Sequence, residues 1–281
     1  MKTYIKFLLL TAILSFLSCE EVIDVDVPTA TSKLVIEASI DWEKGTSGNN
    51  QSIKLSTSSA YFDTETNTMV IGASVKVENT DTNEIFVFAD NGDGTYSTSS
   101  FVPIIGNNYS LEVIYNNETY IATETLIAVP NIKNITQSTE GAFDDELLEV
   151  NVYFDDPIDE ENYYLTRFYE ENDLFATFNS LSDEFLNGNE IYVFFEKDKD
   201  EENNQASFQP GDTVEINLYG ISERYYNYIR LLLEQYGSGG GPFSSSGAKI
   251  KGNCINQTNK DNEAFGYFRL TEVNKTSYMF Q

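Results

Sequence analysis

The sequence predicts a mainly β protein: two β-sandwich-like domains, with one amphipathic helix near residues 222–236 in the second. Three observations predict this. Apolar and polar residues alternate with a period of two along most of the chain, as half-buried strands require. Clusters of Gly, Asn, Asp and Pro interrupt the alternation roughly every dozen residues, the rhythm of an antiparallel sandwich. A single segment recurs at helical spacing instead.

The first domain spans residues 34–129. Leu34 to Ile40 and Gln51 to Ser56 read as strands, Ala73 to Glu78 alternates cleanly, and Glu84 to Phe88 does so in part. Asp90-Asn-Gly-Asp-Gly94 is a turn cluster, and Thr95-Tyr96 begins the return strand. After a further turn from Pro103 to Asn108, Tyr109 to Tyr115 and Glu118 to Thr123 form a hairpin about Asn116-Asn117. The boundary falls near Val129-Pro130. The second domain, residues 130–281, has strands at Ile132 to Thr136, Glu146 to Phe154, Tyr163 to Tyr169, Glu190 to Phe195 and Thr213 to Leu218. Ala264 to Leu270 is expected to return to this second sheet.

The helix is well signalled. Ser222 can cap its N-terminus, and Glu223 lies in the first turn, where the helix dipole favours an anion. Ile221, Tyr225, Ile229, Leu232, Leu233 and Tyr236 form an apolar stripe expected to pack on the second sheet, and Gly237 ends it. The Gly- and Ser-rich run from Gly237 to Gly247 reads as a flexible loop.

Composition excludes several kinds of chemistry. The 281 residues include 17 Lys+Arg against 45 Asp+Glu, a net charge of −28. There is no basic surface to displace counterions from phosphates, so nucleic acid is excluded as a partner. There is no histidine at all, which removes Ser-His-Asp and Cys-His catalysis and His-ligated zinc. Two cysteines, Cys19 and Cys254, make neither a disulfide framework nor a four-cysteine metal site. Cys254 has no histidine to activate it and reads as a buried structural thiol. No catalytic residues and no cofactor are assigned. A carboxylate-pair hydrolase would need two acids with strongly perturbed pKa values in one cleft, and no pair is marked by sequence.

The N-terminus reads as an address. Lys2 and Lys6 precede the apolar run Phe7-Leu-Leu-Leu-Thr-Ala-Ile-Leu14, which is too short to span a bilayer as a finished helix. Residues 1–18 are therefore a signal peptide. Phe16-Leu-Ser-Cys19 reads as a bacterial lipobox, so residues 19–33 become a lipidated cysteine and its tether. Acyl chains on Cys19 would insert into membrane lipid, gaining about 0.8 kcal/mol per buried CH₂. Glu20 and Glu21, directly after the cysteine, resemble a surface-export signal that places lipoproteins on the cell exterior.

Two acidic runs offer oxygen ligands. Asp155, Asp156, Asp159, Glu160 and Glu161 form one, and Asp198, Asp200, Glu201 and Glu202 the other. Both read first as solvated loops; as Ca²⁺ candidates they would bind weakly, from millimolar surroundings. No metal is assigned to either. Asp90 to Gly94 lacks the ligand spacing of an EF-hand and reads as a hairpin turn. Asp212-Thr213-Val214 resembles a Bacteroidota O-glycosylation triplet, although Thr213 more simply starts a strand. Of the adjacent pairs Tyr163-Tyr164 and Tyr225-Tyr226, one tyrosine each is expected to face outward.

Read in order, these segments resemble a family of Bacteroidota lipoproteins of unknown function, domain-of-unknown-function family 4249. Ser18-Cys-Glu-Glu-Val-Ile-Asp-Val-Asp-Val-Pro28, Gly72-Ala-Ser-Val-Lys-Val77, Gly106-Asn-Asn-Tyr-Ser-Leu111 and Asp155-Asp-Pro157 carry the first part of the resemblance. Pro210-Gly-Asp-Thr-Val214, the helix from Ile221 to Tyr228 and Ala264-Phe-Gly-Tyr-Phe268 carry the rest. The resemblance implies an Ig-like or transthyretin-like first domain and an outer-membrane lipoprotein beside SusC-like TonB-dependent receptors. It supplies no catalytic residues. The expected role is that of a non-enzymatic accessory subunit of such a transporter, facing the cell exterior. The alternative is a free-standing surface module that binds glycan or peptide through its tyrosines. Replacing Cys19 by Ala is expected to abolish palmitate labelling and move the protein into the aqueous phase on detergent phase separation.

Overall fold

In the computed structural model, residues 31–60, 63, 67–141, 146–158, 160–171, 173–197, 206–237 and 250–281 are described. The first seven strands are β1 (Leu34–Glu43), β2 (Gln51–Thr57), β3 (Ser74–Asn79), β4 (Glu84–Asp90), β5 (Thr95–Thr98), β6 (Asn108–Tyr115) and β7 (Glu118–Ile127). They are followed by β8 (Ile132–Ser138), β9 (Glu149–Asp155), β10 (Tyr163–Glu170), β11 (Thr177–Ser182), β12 (Glu190–Glu196) and β13 (Thr213–Ile221). The helix α1 (Glu223–Gly237), the two-residue β14 (Ile255–Asn256) and the long β15 (Phe265–Met279) complete the order. The mainly β expectation holds, and each expected strand is present. β11 and β14 were not foreseen.

Twelve strands form one sheet in the order β11-β10-β13-β15-β1-β2-β5-β4-β3-β6-β7-β14, and β7 pairs again with β15. This second pairing closes the eight strands from β15 to β7 into a barrel-like ring. Beyond the ring, β13, β10 and β11 extend as an arm, and β12-β9-β8 form a separate three-stranded sheet. Residues Ser32–Gln281 make up one compact unit.

Strand β15 is longer than expected and serves both parts. Its first half runs parallel to β1, from Val35↔Phe265 to Glu43↔Val273. Its second half runs antiparallel to β13, from Tyr219↔Val273 to Thr213↔Met279. The end of β7 joins between, at Leu270↔Leu126 and Thr271↔Ile127. So the last strand does not return only to the second sheet; it links that arm to the ring.

The cores follow the same plan. Ile36, Ile40, Leu55, Val77, Tyr109 and Phe268 belong to the core of the ring and are at most 1% exposed. Each such large side chain gains about 1.5–3 kcal/mol on burial. Cys254 lies in this core, and burial pushes its thiol up to about 12. On one face of the arm, Phe168, Val214 and Ile216 pack with Val150 and Val152 of the small sheet. On the other face, Leu165, Tyr219 and Ile221 meet Tyr225 and Ile229 of α1.

The helix starts as its sequence requires: the Ser222 hydroxyl accepts from Tyr225 N at 3.2 Å. Its stripe is narrower than expected, because Leu232 and Tyr236 are exposed. The outward tyrosines Tyr163 and Tyr226 are half-buried against each other, ring centroids 5.1 Å apart. The β6–β7 hairpin turns through Asn116 and Asn117, both left-handed (φ 50° and 61°), as a two-residue primed turn demands.

One glycine is decisive. Gly266 has φ +91°, and a Cβ there would lie 2.1 Å from the Ile36 carbonyl oxygen on the paired strand. Gly266→Ala is therefore expected to cost about 3 kcal/mol or more, read from the urea midpoint. Gly45→Ala (φ +86°, nothing within 4 Å) should cost only the left-handed strain, about 1–2 kcal/mol.

Candidate functional site

Where the ring meets the arm, a buried carboxylate ties the chain together. Glu272 of β15 accepts from Lys44 Nζ at 3.1 Å and from Val129 N at 3.0 Å, while Lys44 Nζ donates to Val129 O at 2.6 Å. This fixes the exit of β7 as it leaves the ring. Gly220 of β13 lies so close that a Cβ would meet the Ala128 carbonyl at 1.8 Å.

Beside this junction opens a cleft of about 700 Å³. Its walls are residues 124–130, the β9–β10 connection with the start of β10, and the N-terminus of α1. Glu124, Glu160, Glu161, Glu223 and Arg224 line it, together with Tyr163 and Tyr164.

Glu124 is the buried charge of this cleft. Strand β7 alternates, with Tyr120, Ala122, Glu124 and Leu126 on the inward face, and Glu124 is 3% exposed. Its Oε1 accepts from Arg224 Nη2 at 3.1 Å and its Oε2 from the Tyr267 hydroxyl at 3.1 Å. Burial, with the Glu124 carboxylate beside it, pushes the Tyr267 hydroxyl well above the usual tyrosine range, so it stays a donor. Arg224 also donates to Thr123 O at 2.8 Å. Four carboxylates against one guanidinium favour a cationic or hydroxyl-rich ligand over an anion.

The acids expected in the β9–β10 run do not act as one cluster. Asp155 is exposed and paired with Lys133 at 2.9 Å. Asp156 turns inward and is 6% exposed. Glu160 and Glu161 are exposed on the cleft wall. Asp156 therefore corrects the expectation of a wholly solvated loop. So does Lys197 at the head of the second run: its side chain is 3% exposed and salt-bridged to Glu170 and Asp173. Cys19, Glu20, Glu21, Asp159, Asp198, Asp200, Glu201 and Glu202 lie outside the described residues. Among the described residues, no group of three or more Asp, Glu or Cys is placed to hold a metal.

Sequence reasoning missed three participants. Glu124 was legible: a carboxylate on the inward phase of an alternating strand demands a partner. Arg224 sits in the first turn of the helix, where a cation is unexpected on dipole grounds. Asp183, buried on the β11–β12 connection and bonded through its N–H to Asn162 O of the cleft wall, carried no signal, because it lies just past the unforeseen β11.

Residues 20–277 match the family model described as Domain of unknown function (DUF4249). The chain belongs to this family. No curated protein matches it. Among solved structures, a DUF4785 family protein from Legionella pneumophila is 10% identical with a TM-score of 0.26, covering 66% of this chain and 52% of its own. This chain thus spans about half the length of that protein. A cytokine receptor complex chain is 9% identical (TM-score 0.26, covering 69% and 87%), and a two-domain fibronectin type III segment of chicken tenascin 8% (0.21, 60% and 83%). Scores this low carry no argument, and the DUF4249 fold described above stands on its own strand pairing.

Arg224→Ala would leave Glu124 with only the Tyr267 hydroxyl and Thr125 N. The expected loss is about 1–3 kcal/mol of stability by chemical denaturation. In the Glu124→Gln background, the same substitution should cost less than half as much.

Proposed function

We propose that this DUF4249 chain is a non-enzymatic lipoprotein of the bacterial outer membrane. Cys19 carries the acyl anchor, the protein faces the cell exterior, and it serves as accessory subunit of a SusC-like TonB-dependent receptor in solute capture or uptake. The observation that carries this reading is an apolar display around the strand that ends the large sheet. Leu174 and Phe175 on the β10–β11 connection are 74% and 67% exposed, Phe178 on β11 is 37% exposed, and Phe185 on the following turn is 87% exposed. Apolar side chains held out in a chain of charge −28 suit a buried protein interface with an acidic rim. The end strand offers backbone pairing as well.

Within this reading the chain comprises two β-sandwich-like domains, an Ig-like domain over 34–129 and a second over 130–281. The apolar clusters follow that division only in part: the ring core draws on residues 34–126 but also, across the boundary, on residues 254–270, and the others draw on residues 129–280. A second reading, a free-standing binder of glycan or peptide, is favoured by the cleft with Tyr163 and Tyr164 on its wall.

The test is a gentle-detergent pull-down of tagged protein from its native membrane, with mass spectrometry and a Cys19→Ala control. A stoichiometric TonB-dependent barrel, missing from the control and reduced by Phe175→Asp, is the expected result. An anchored protein that brings no barrel with it would overturn the subunit role in favour of the second reading.

A further inference from the structure

We propose that Asp156 and Asp183 form a binding site for a hard divalent cation, Ca²⁺ foremost, behind the cleft wall formed by Pro157 and residues 160–164. The inference is independent of the transporter reading. The two carboxyls sit on neighbouring loops, between β9 and β10 and between β11 and β12. Backbone hydrogen bonds tie those loops together: Asp183 N donates to Asn162 O at 3.1 Å, and Asp156 N to Asn189 O at 3.0 Å.

Asp156 is held in place by two donors: its Oδ1 accepts from the Tyr164 hydroxyl at 2.5 Å and its Oδ2 from Gly188 N at 2.9 Å. Asp183 is 1% exposed and within hydrogen-bonding reach of Asp156. Its Oδ2 is buried with no hydrogen-bond partner. Burial, with the Asp156 charge adding to it against amide hydrogen bonds from Asn162, raises the Asp183 carboxyl above its ordinary value.

Among the described residues, no Lys or Arg forms an ion pair with either aspartate. Two close, buried carboxylates with an orphan oxygen need either a proton or a cation between them. The orphan Asp183 Oδ2 is the atom such a cation would take, and water can complete a shell of six to eight. A site with only two carboxylates belongs to the weak class, with a dissociation constant of about 10⁻⁴–10⁻³ M.

The test is thermal unfolding of the full-length protein in detergent at neutral pH, in chelator and in increasing CaCl₂. The wild type and Asp155→Asn should both gain melting temperature with Ca²⁺, saturating in the millimolar range. Asp183→Asn, which can donate to Asp156 and relieves the like charge, should melt no lower than wild type in chelator and respond at least tenfold more weakly to Ca²⁺. A wild type indifferent to Ca²⁺ would make the pair a proton-sharing one and overturn the site. A full response retained in Asp183→Asn would place the cation elsewhere and overturn it too. Should that variant not fold, Tb³⁺ luminescence of the wild type decides. A tyrosine-sensitised signal displaced by Ca²⁺ and cut by Tyr164→Phe is expected, and a signal that Ca²⁺ does not displace sinks the proposal.

Discussion

The rest of the structure depends on one constraint: β15 must be paired along both edges. On one side lies β1, in parallel register from Phe265 to Val273; on the other lie the end of β7 and then β13. Remove this strand and the ring opens, while the arm bearing α1 and the small sheet loses its attachment. The demands on it are visible in its residues. Gly266 admits the Ile36 carbonyl. Phe268 fills the ring core, and Asn253 grips its backbone from both sides, accepting from Phe268 N at 2.8 Å and donating to Phe268 O at 2.7 Å.

Charge follows the same logic. In so acidic a chain cations are scarce, and several are used where elements cross. Arg269 of β15 reaches Asp41 of β1 at 2.9 Å while lying over the rings of Tyr219 and Tyr225, joining ring, arm and helix through one guanidinium. Lys44 and Arg224 serve the junction, and Lys197 secures the connection beyond β12. Breaking the buried pairs of Lys197 or Arg269 leaves an uncompensated charge, typically at a cost of about 3–5 kcal/mol, while the more exposed Lys44 and Arg224 hold their carboxylates for less. These few cations therefore weigh more in the architecture than their number suggests. The same scarcity leaves Asp156 and Asp183 without a protein counter-charge.

How much of this was legible in the sequence depends on range. Strands with clean alternation were found within a few residues, because side-chain period is a local property. The helix was found from its cap and spacing. β11, Thr177–Ser182, escaped because it ends the sheet, and its mostly exposed or half-buried residues leave no apolar phase to read. β14 is two residues long and exists only by pairing with β7. The double role of β15 was out of reach, since nothing local in Ala264 to Leu270 names β1 as a neighbour. The site was read less well for the same reason. Asp155 and Asp156 are adjacent in sequence yet opposed in space, whereas Asp156 and Asp183 are distant in sequence and meet. Local composition sees the first pair and not the second.

The union of β1 with β15 also orders events in time. Ser39 and Arg269, which bond across it, are 230 residues apart. When synthesis begins, β1 emerges with one edge that β2 can satisfy and another that nothing can satisfy until the chain is almost finished. Contacts of such long range slow folding, because loop closure must be accomplished before they contribute. The protein is therefore held from its native state until its final segment arrives. In the interval it exposes an apolar strand edge that invites other chains.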